Sequence, residues 1–134
     1  MEKRETIADY EGSARVLWVD DEEMIRKSGE FLITKLGHQA DVAASGEEAL
    51  EYLEKNEYDL VLTALGMPGM SGWELADKIK EKFKGKMKVA FVTGWGPQVS
   101  KEEKNKHDVG YILGKPVTIE QIKNLFGEVM QLGN

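Results

Sequence analysis

Five short apolar runs constrain this chain more than any other feature: Val16-Leu17-Trp18-Val19, His38 to Ala43, Leu60-Val61-Leu62, Val89-Ala90-Phe91-Val92 and Tyr111-Ile112-Leu113. Continuous apolar runs of this length suit strands buried on both faces, as in a parallel sheet. Between them lie helical patterns near 22 to 36, 46 to 55, 72 to 83, 97 to 107 and 119 to 132. Five strand-helix units in alternation predict a doubly wound α/β sheet.

Three helix starts are marked in the sequence. Ser45 with Glu48, Ser71 with Glu74 and Thr118 with Gln121 each have the spacing of a capping box, in which two side chains satisfy two free backbone N–H groups. Helical spacing puts Ile25, Leu32 and Leu36 of the first helix, Leu75, Ile79 and Phe83 of the third, and Ile122, Leu125 and Val129 of the last in the core. The stretch Pro97 to His107 has only Val99 as a large apolar residue, so its helix is expected to be short or mobile. Residues 1–13 are charged and aperiodic and read as a linker or N-terminal extension, leaving 14–134 as one domain.

A chain of 134 residues supports one core. Its net charge of -6 repels phosphate backbones, which argues against direct nucleic-acid binding. There is no cysteine, so disulfides, thiolate catalysis and cysteine-ligated zinc are all excluded. The first residues lack a signal-peptide core and no apolar run approaches the ~20 residues that span a bilayer, so no membrane insertion and a cytoplasmic location are expected.

In an open parallel sheet the functional crevice lies at the carboxyl ends of the strands. The runs deliver Asp20 and Asp21, Ala64, Thr93 and Lys115 there. Taken singly these residues are unremarkable: acidic residues favour a helix start, a threonine before Gly94 suits a turn, and lysines are usually solvated. Together, two carboxylates, a hydroxyl and an ammonium suit a hard divalent cation such as Mg²⁺ and a phosphoryl group.

In Val19-Asp20-Asp21-Glu22-Glu23, Thr93-Gly94, Lys115-Pro116 and the loop Leu65-Gly66-Met67-Pro68-Gly69-Met70-Ser71-Gly72, the chain resembles the receiver (response regulator) family of two-component signalling, over about Arg15 to Leu132. The resemblance implies a flavodoxin-like (β/α)5 fold with strand order 2-1-3-4-5. It implies that Asp21 binds Mg²⁺ directly, that Asp20 supports it, that the Gly66 carbonyl adds a ligand, and that Thr93 and Lys115 contact phosphoryl oxygens. It also implies a cis Lys115-Pro116 peptide, and a histidine kinase or phosphotransfer domain as phosphoryl donor, with an output or kinase domain in the same or another chain. The loop and Thr-Gly-Trp-Gly phrases are similar to receivers attached to hybrid histidine kinases.

Two departures matter. The family places its phosphate-accepting aspartate where this chain has Ala64, and a methyl group cannot be that nucleophile. Mg²⁺ binding is therefore expected to be weak. The switch aromatic expected three residues before the lysine is replaced by Ile112, with Tyr111 one place earlier. Because every other site element is present, an inactivating substitution accounts for Ala64 better than a natural pseudo-receiver that works as a phosphate-independent interaction module. That second reading would use the surface of the fourth helix, the last strand and the last helix. Enzyme readings fare worse: Gly110 to Lys115 lacks the spacing and following hydroxyl of a phosphate loop, and Gly94-Trp95-Gly96 lacks the third glycine of a dinucleotide turn.

Overall fold

A computed structural model of the chain describes residues 14–84, 87–94 and 111–132. Its elements are β1 (Arg15–Val19), α1 (Glu23–Lys35), β2 (Gln39–Ala43), α2 (Gly46–Lys55), β3 (Leu60–Ala64), α3 (Gly72–Phe83), β4 (Lys88–Thr93), β5 (Tyr111–Gly114) and α4 (Ile119–Leu132). The strands form one sheet in the order β2-β1-β3-β4-β5, and every neighbouring pair is parallel. Four helices stand among the described residues where five were expected; the candidate at 97–107 lies outside them.

Alternation along the buried strands divides the core between two faces. Val16, Trp18, Leu60, Leu62, Ala90 and Val92 pack with Ile33 of α1 and with Ile122, Leu125, Phe126 and Val129 of α4. Leu17, Val19 and Val61 pack on the other face with Ala49 and Leu53 of α2 and Leu75 and Ile79 of α3. Helices thus cover both faces, which is why the strands read as apolar runs with no polar side.

The expected inward face of α1 needs correcting. Ile25, Leu32 and Leu36 are only partly buried, and the fully buried residues are Gly29 and Ile33. Trp18 is the cause, because a Cβ on Gly29 would overlap its indole ring carbons. The helix meets the sheet through a bare backbone at Gly29, and a reading based on apolar side chains cannot see a glycine as the centre of contact. Phe83, at the end of α3, is likewise only partly buried.

The caps form where expected, with one variation. Ser71 with Glu74 and Thr118 with Gln121 make both reciprocal bonds. Ser45 accepts from the Glu48 N–H, but the Glu48 carboxylate accepts from Ala44 N–H one residue earlier than the ideal box.

Candidate functional site

β1 and β3 are adjacent although the chain leaves them toward opposite sides of the sheet, so the crevice opens past Val19 and Ala64. Asp20 follows β1 directly and is 1% exposed. Its N–H donates to the Ala43 carbonyl at 3.1 Å, and its Oδ1 accepts from the Glu22 N–H at 2.9 Å. One oxygen of Asp20 therefore shapes the entry to α1, as an acidic residue before a helix would be expected to do.

Its other oxygen does something else. Oδ2 is buried, accepts no hydrogen bond among the described residues, and lies 3.3 Å from the Lys115 ammonium. The contact is Coulombic, without hydrogen-bond alignment. The lysine side chain is 27% exposed, so its far side meets solvent while its charge faces the buried carboxylate.

Lys115 is set in place from β4: its N–H donates to the Thr93 carbonyl at 2.9 Å, and Thr93 is buried at the end of that strand. The Lys115–Pro116 peptide is cis, as expected. Asp20, Thr93 and Lys115 are thereby drawn together, whereas Asp21 and Gly66 are exposed.

Ala64 closes β3 and is 3% exposed. The amino end of α3 presses on this position so closely that a Cβ at Gly72 would overlap the Ala64 carbonyl oxygen. The Gly72 N–H donates to the Leu65 carbonyl at 2.7 Å, which tightens the turn between them.

The two candidate switch positions lie on opposite faces of β5. Tyr111 packs on the α1 and α4 side, where burial and then the nearby Glu128 raise its hydroxyl pKa. Ile112 packs against the Ala76 and Phe91 cluster, where the Phe91 and Trp73 rings meet edge-on at 4.6 Å.

Sequence reasoning overlooked Arg26 and Gly72. Arg26 donates from Nη1 to the Asp20 carbonyl at 2.8 Å and so ties α1 to the acidic loop. A contact to a backbone carbonyl leaves no mark in residue spacing. Gly72 was visible as a loop glycine, but its close approach to β3 was not.

The donor chemistry partly fits a divalent cation. Asp20 offers a buried oxygen that no hydrogen bond occupies, beside a second carboxylate on Asp21. Yet no group of three His, Cys, Asp or Glu side chains able to hold a metal is found among the described residues. Position 64, at the end of the strand beside β1, contributes a methyl group.

Residues 16–126 match the family model described as the response regulator receiver domain. The chain belongs to the receiver family. It is 31% identical over 131 residues to the sensor kinase CckA of Brucella abortus, covering 96% of this chain and 14% of that protein. The receiver thus spans only a small part of that curated relative, and the same holds for the sensor histidine kinase RcsC of Salmonella typhi, at 12%. Among solved structures it superposes on the chemotaxis protein CheY4 of Vibrio cholerae with a TM-score of 0.79 and 26% identity, over 88% of this chain and 99% of that one. A response regulator protein TrrA of Thermotoga maritima, solved in complex with Mg²⁺-BeF, gives a TM-score of 0.77 and 30% identity over 87% and 98% of the two chains. No helix among the described residues is long and apolar enough to cross a membrane.

Proposed function

We propose that this receiver has the design of a phosphoryl acceptor in a phosphorelay, with position 64 as the acceptor and Ala64 making it unable to take phosphate. The observation that carries this reading is the junction of β1 and β3. The buried Asp20 stands past the end of β1, Ala64 ends the neighbouring β3, and Lys115 reaches Asp20 from the end of β5.

In this reading the domain runs from 14 to 134, residues 1–13 link it to other parts of a cytoplasmic protein, and its relatives among sensor kinases favour a hybrid histidine kinase as parent. The phosphoryl donor would be a histidine kinase or phosphotransfer domain. Asp21, supported by Asp20 and joined by the Gly66 carbonyl, would hold Mg²⁺, which offsets negative charge on phosphoryl oxygens when bound. The Thr93 hydroxyl and Lys115 ammonium would orient those oxygens. With Ala64 in place the carboxylate set is one short, so the cation is held weakly and no aspartyl phosphate forms.

The test is to offer acetyl phosphate and Mg²⁺ to the parent protein and to an Ala64→Asp variant, and weigh both intact. We expect the variant alone to gain one phosphoryl group. A variant that folds and gains none would sink the assignment of position 64.

A further inference from the structure

An apolar patch on α1 carries a further inference that does not depend on position 64. Met24 is 74% exposed and Phe31 62% exposed, and they are the two large hydrophobic side chains left exposed among the described residues. They stand seven residues apart on one helix and so share a face, two turns from each other. That face points away from the sheet, which α1 meets through the buried Gly29 and Ile33. Apolar residues scattered singly over a surface need no explanation, whereas two on one helical stripe mark a contact surface.

The charges along α1 are ordered as well. The exposed Glu22 and Glu23 stand at its start, and the exposed Lys35 closes it, with its ammonium 5.8 Å from the centre of the Phe31 ring. Lys27, midway along the stripe, is balanced by Glu23 at 3.6 Å. A helix that is acidic at one end, apolar between and basic at the other is complementary to a copy of itself turned end for end. With two such helices antiparallel and the two-fold axis level with Lys27 and Ser28, Met24 of each copy meets Phe31 of the other, a thioether against an aromatic ring. Each Lys35 then comes within reach of the Glu22-Glu23 end of the opposite copy, and the two helix dipoles run opposed.

We propose that this face of α1 is a self-association surface, and that what covers it is α1 of a second copy of this chain. The helix has 13 residues and is about 20 Å long, so pairing along it buries less than the roughly 800 Å² per partner of a stable interface. The dimer is therefore weak, with a Kd on the order of 0.5 mM, and forms where two receivers are held close together.

Sedimentation equilibrium and concentration-dependent NMR shifts of the full chain, from about 20 μM to about 2 mM so as to bracket that Kd, test this. The mass is expected to rise toward that of a dimer, with the shifts concentrated in α1. Phe31→Ser should weaken association about tenfold or more while melting within about 2 °C of the parent, because the ring is exposed in the single chain. Lys35→Glu should weaken it about tenfold, and so should the double variant Glu22→Lys with Glu23→Lys, since each sets like charges against each other at both ends of the pair. Mixed in equal amounts, those two proteins should associate within about threefold of the parent, because every like-charge contact becomes an opposite one. A chain that stays monomeric at about 2 mM overturns the proposal and leaves the face to a different partner. A dimer whose shifts lie on another face, or one that Phe31→Ser leaves intact, also overturns it. Failure of the charge-swapped mixture to recover association rules out the end-for-end pairing and overturns it too.

Discussion

The two ends of the sheet treat polar groups in opposite ways. At the amino ends of the strands, Tyr58 donates to the Asp41 carboxylate at 2.6 Å, and the Arg15 guanidinium reaches Asp41 at 3.4 Å and Asn56 at 3.3 Å while lying 5.1 Å from the centre of the Tyr58 ring. The Asp59 carboxylate accepts from the Arg15 N–H at 2.9 Å, and His38 Nδ1 accepts from the Ala14 N–H at 3.0 Å. Each of these groups has a hydrogen-bond partner, the Arg15 contacts being the long ones. At the carboxyl ends the most buried carboxylate keeps an oxygen outside any hydrogen bond among the described residues and relies on one lysine. A closed network fixes the fold, whereas an unfinished one leaves a place for a ligand's charge. The end that is electrostatically incomplete is the end where the reading by strand termini placed the chemistry.

The largest expected effect comes from tightness, which also belongs to the carboxyl end. Replacing Gly72 by alanine drives a methyl group into the Ala64 carbonyl, and backbone cannot swing aside as a side chain can. We expect Gly72→Ala to cost about 3 kcal/mol in urea unfolding, at the upper end for overpacking. A loss near zero would mean that α3 is not seated against β3, and the contrast between a crowded crevice and a relaxed amino end would break.

Next is the charge balance of the crevice itself. In chelator, Ala64→Asp should be less stable than the parent by on the order of 1 kcal/mol or more, because a third carboxylate joins Asp20 and Asp21 while Lys115 is already paired with Asp20. Millimolar Mg²⁺ should narrow or reverse the gap, since the aspartate form binds the cation more tightly. Thermal melts of both proteins with and without metal measure it. Equal stability without metal would mean that the three positions do not converge.

How much of this was legible beforehand follows the same division. The strands were readable to within a residue or two because apolar runs report burial directly. β2 begins at Gln39, one residue after the expected His38, whose imidazole instead takes the Ala14 N–H. Asp20, Thr93 and Lys115 were findable because strand ends are fixed by the runs before them. What could not be read were directions and close approaches: which Asp20 oxygen meets Lys115, that Arg26 reaches a carbonyl, and that Trp18 needs a glycine opposite it. The amino-end network was missed entirely, because Arg15 on β1, Asp41 on β2 and the Asn56 to Tyr58 connection before β3 lie far apart in sequence, and no spacing along the chain relates them.

That network offers a sharper probe. Burial first, and then the bond to Asp41, raise the Tyr58 pKa so that its hydroxyl stays a donor. Tyr58→Phe removes the donor but leaves Arg15 on Asp41, so we expect a loss of about 1 kcal/mol, measured by denaturant unfolding at neutral pH. The Mg²⁺ response should be unchanged, since the change lies at the opposite end from the crevice. A Tyr58→Phe protein with altered Mg²⁺ affinity would show that the two ends are coupled.

The smallest effect, and the one with the most definite sign, concerns His38. The ring is buried against Phe126, with centroids 4.7 Å apart and planes at 62°, and Nδ1 is an acceptor for a backbone N–H. Only a neutral imidazole can accept there, because protonation puts a hydrogen on Nδ1. Burial lowers the pKa from 6.5, while the charge of Asp59 pulls the other way and limits the shift. A lowered pKa in the folded state means that the unfolded chain takes up a proton first as pH falls. The stability owed to neutral His38 is therefore fully present above about pH 6.5 and is lost as pH drops toward and through the folded value. We expect a decline on the order of 0.5 kcal/mol between about pH 7.5 and about pH 5.5 that is missing from His38→Asn, after subtracting the shared carboxylate contribution. Urea midpoints of the two proteins across that range give the difference. A parent that gains stability relative to His38→Asn on acidification would reverse the sign, placing a protonated imidazole paired with Asp59 where the structure has a neutral one bonded to Ala14, and the amino end would then be held by an ion pair and not by a closed set of hydrogen bonds.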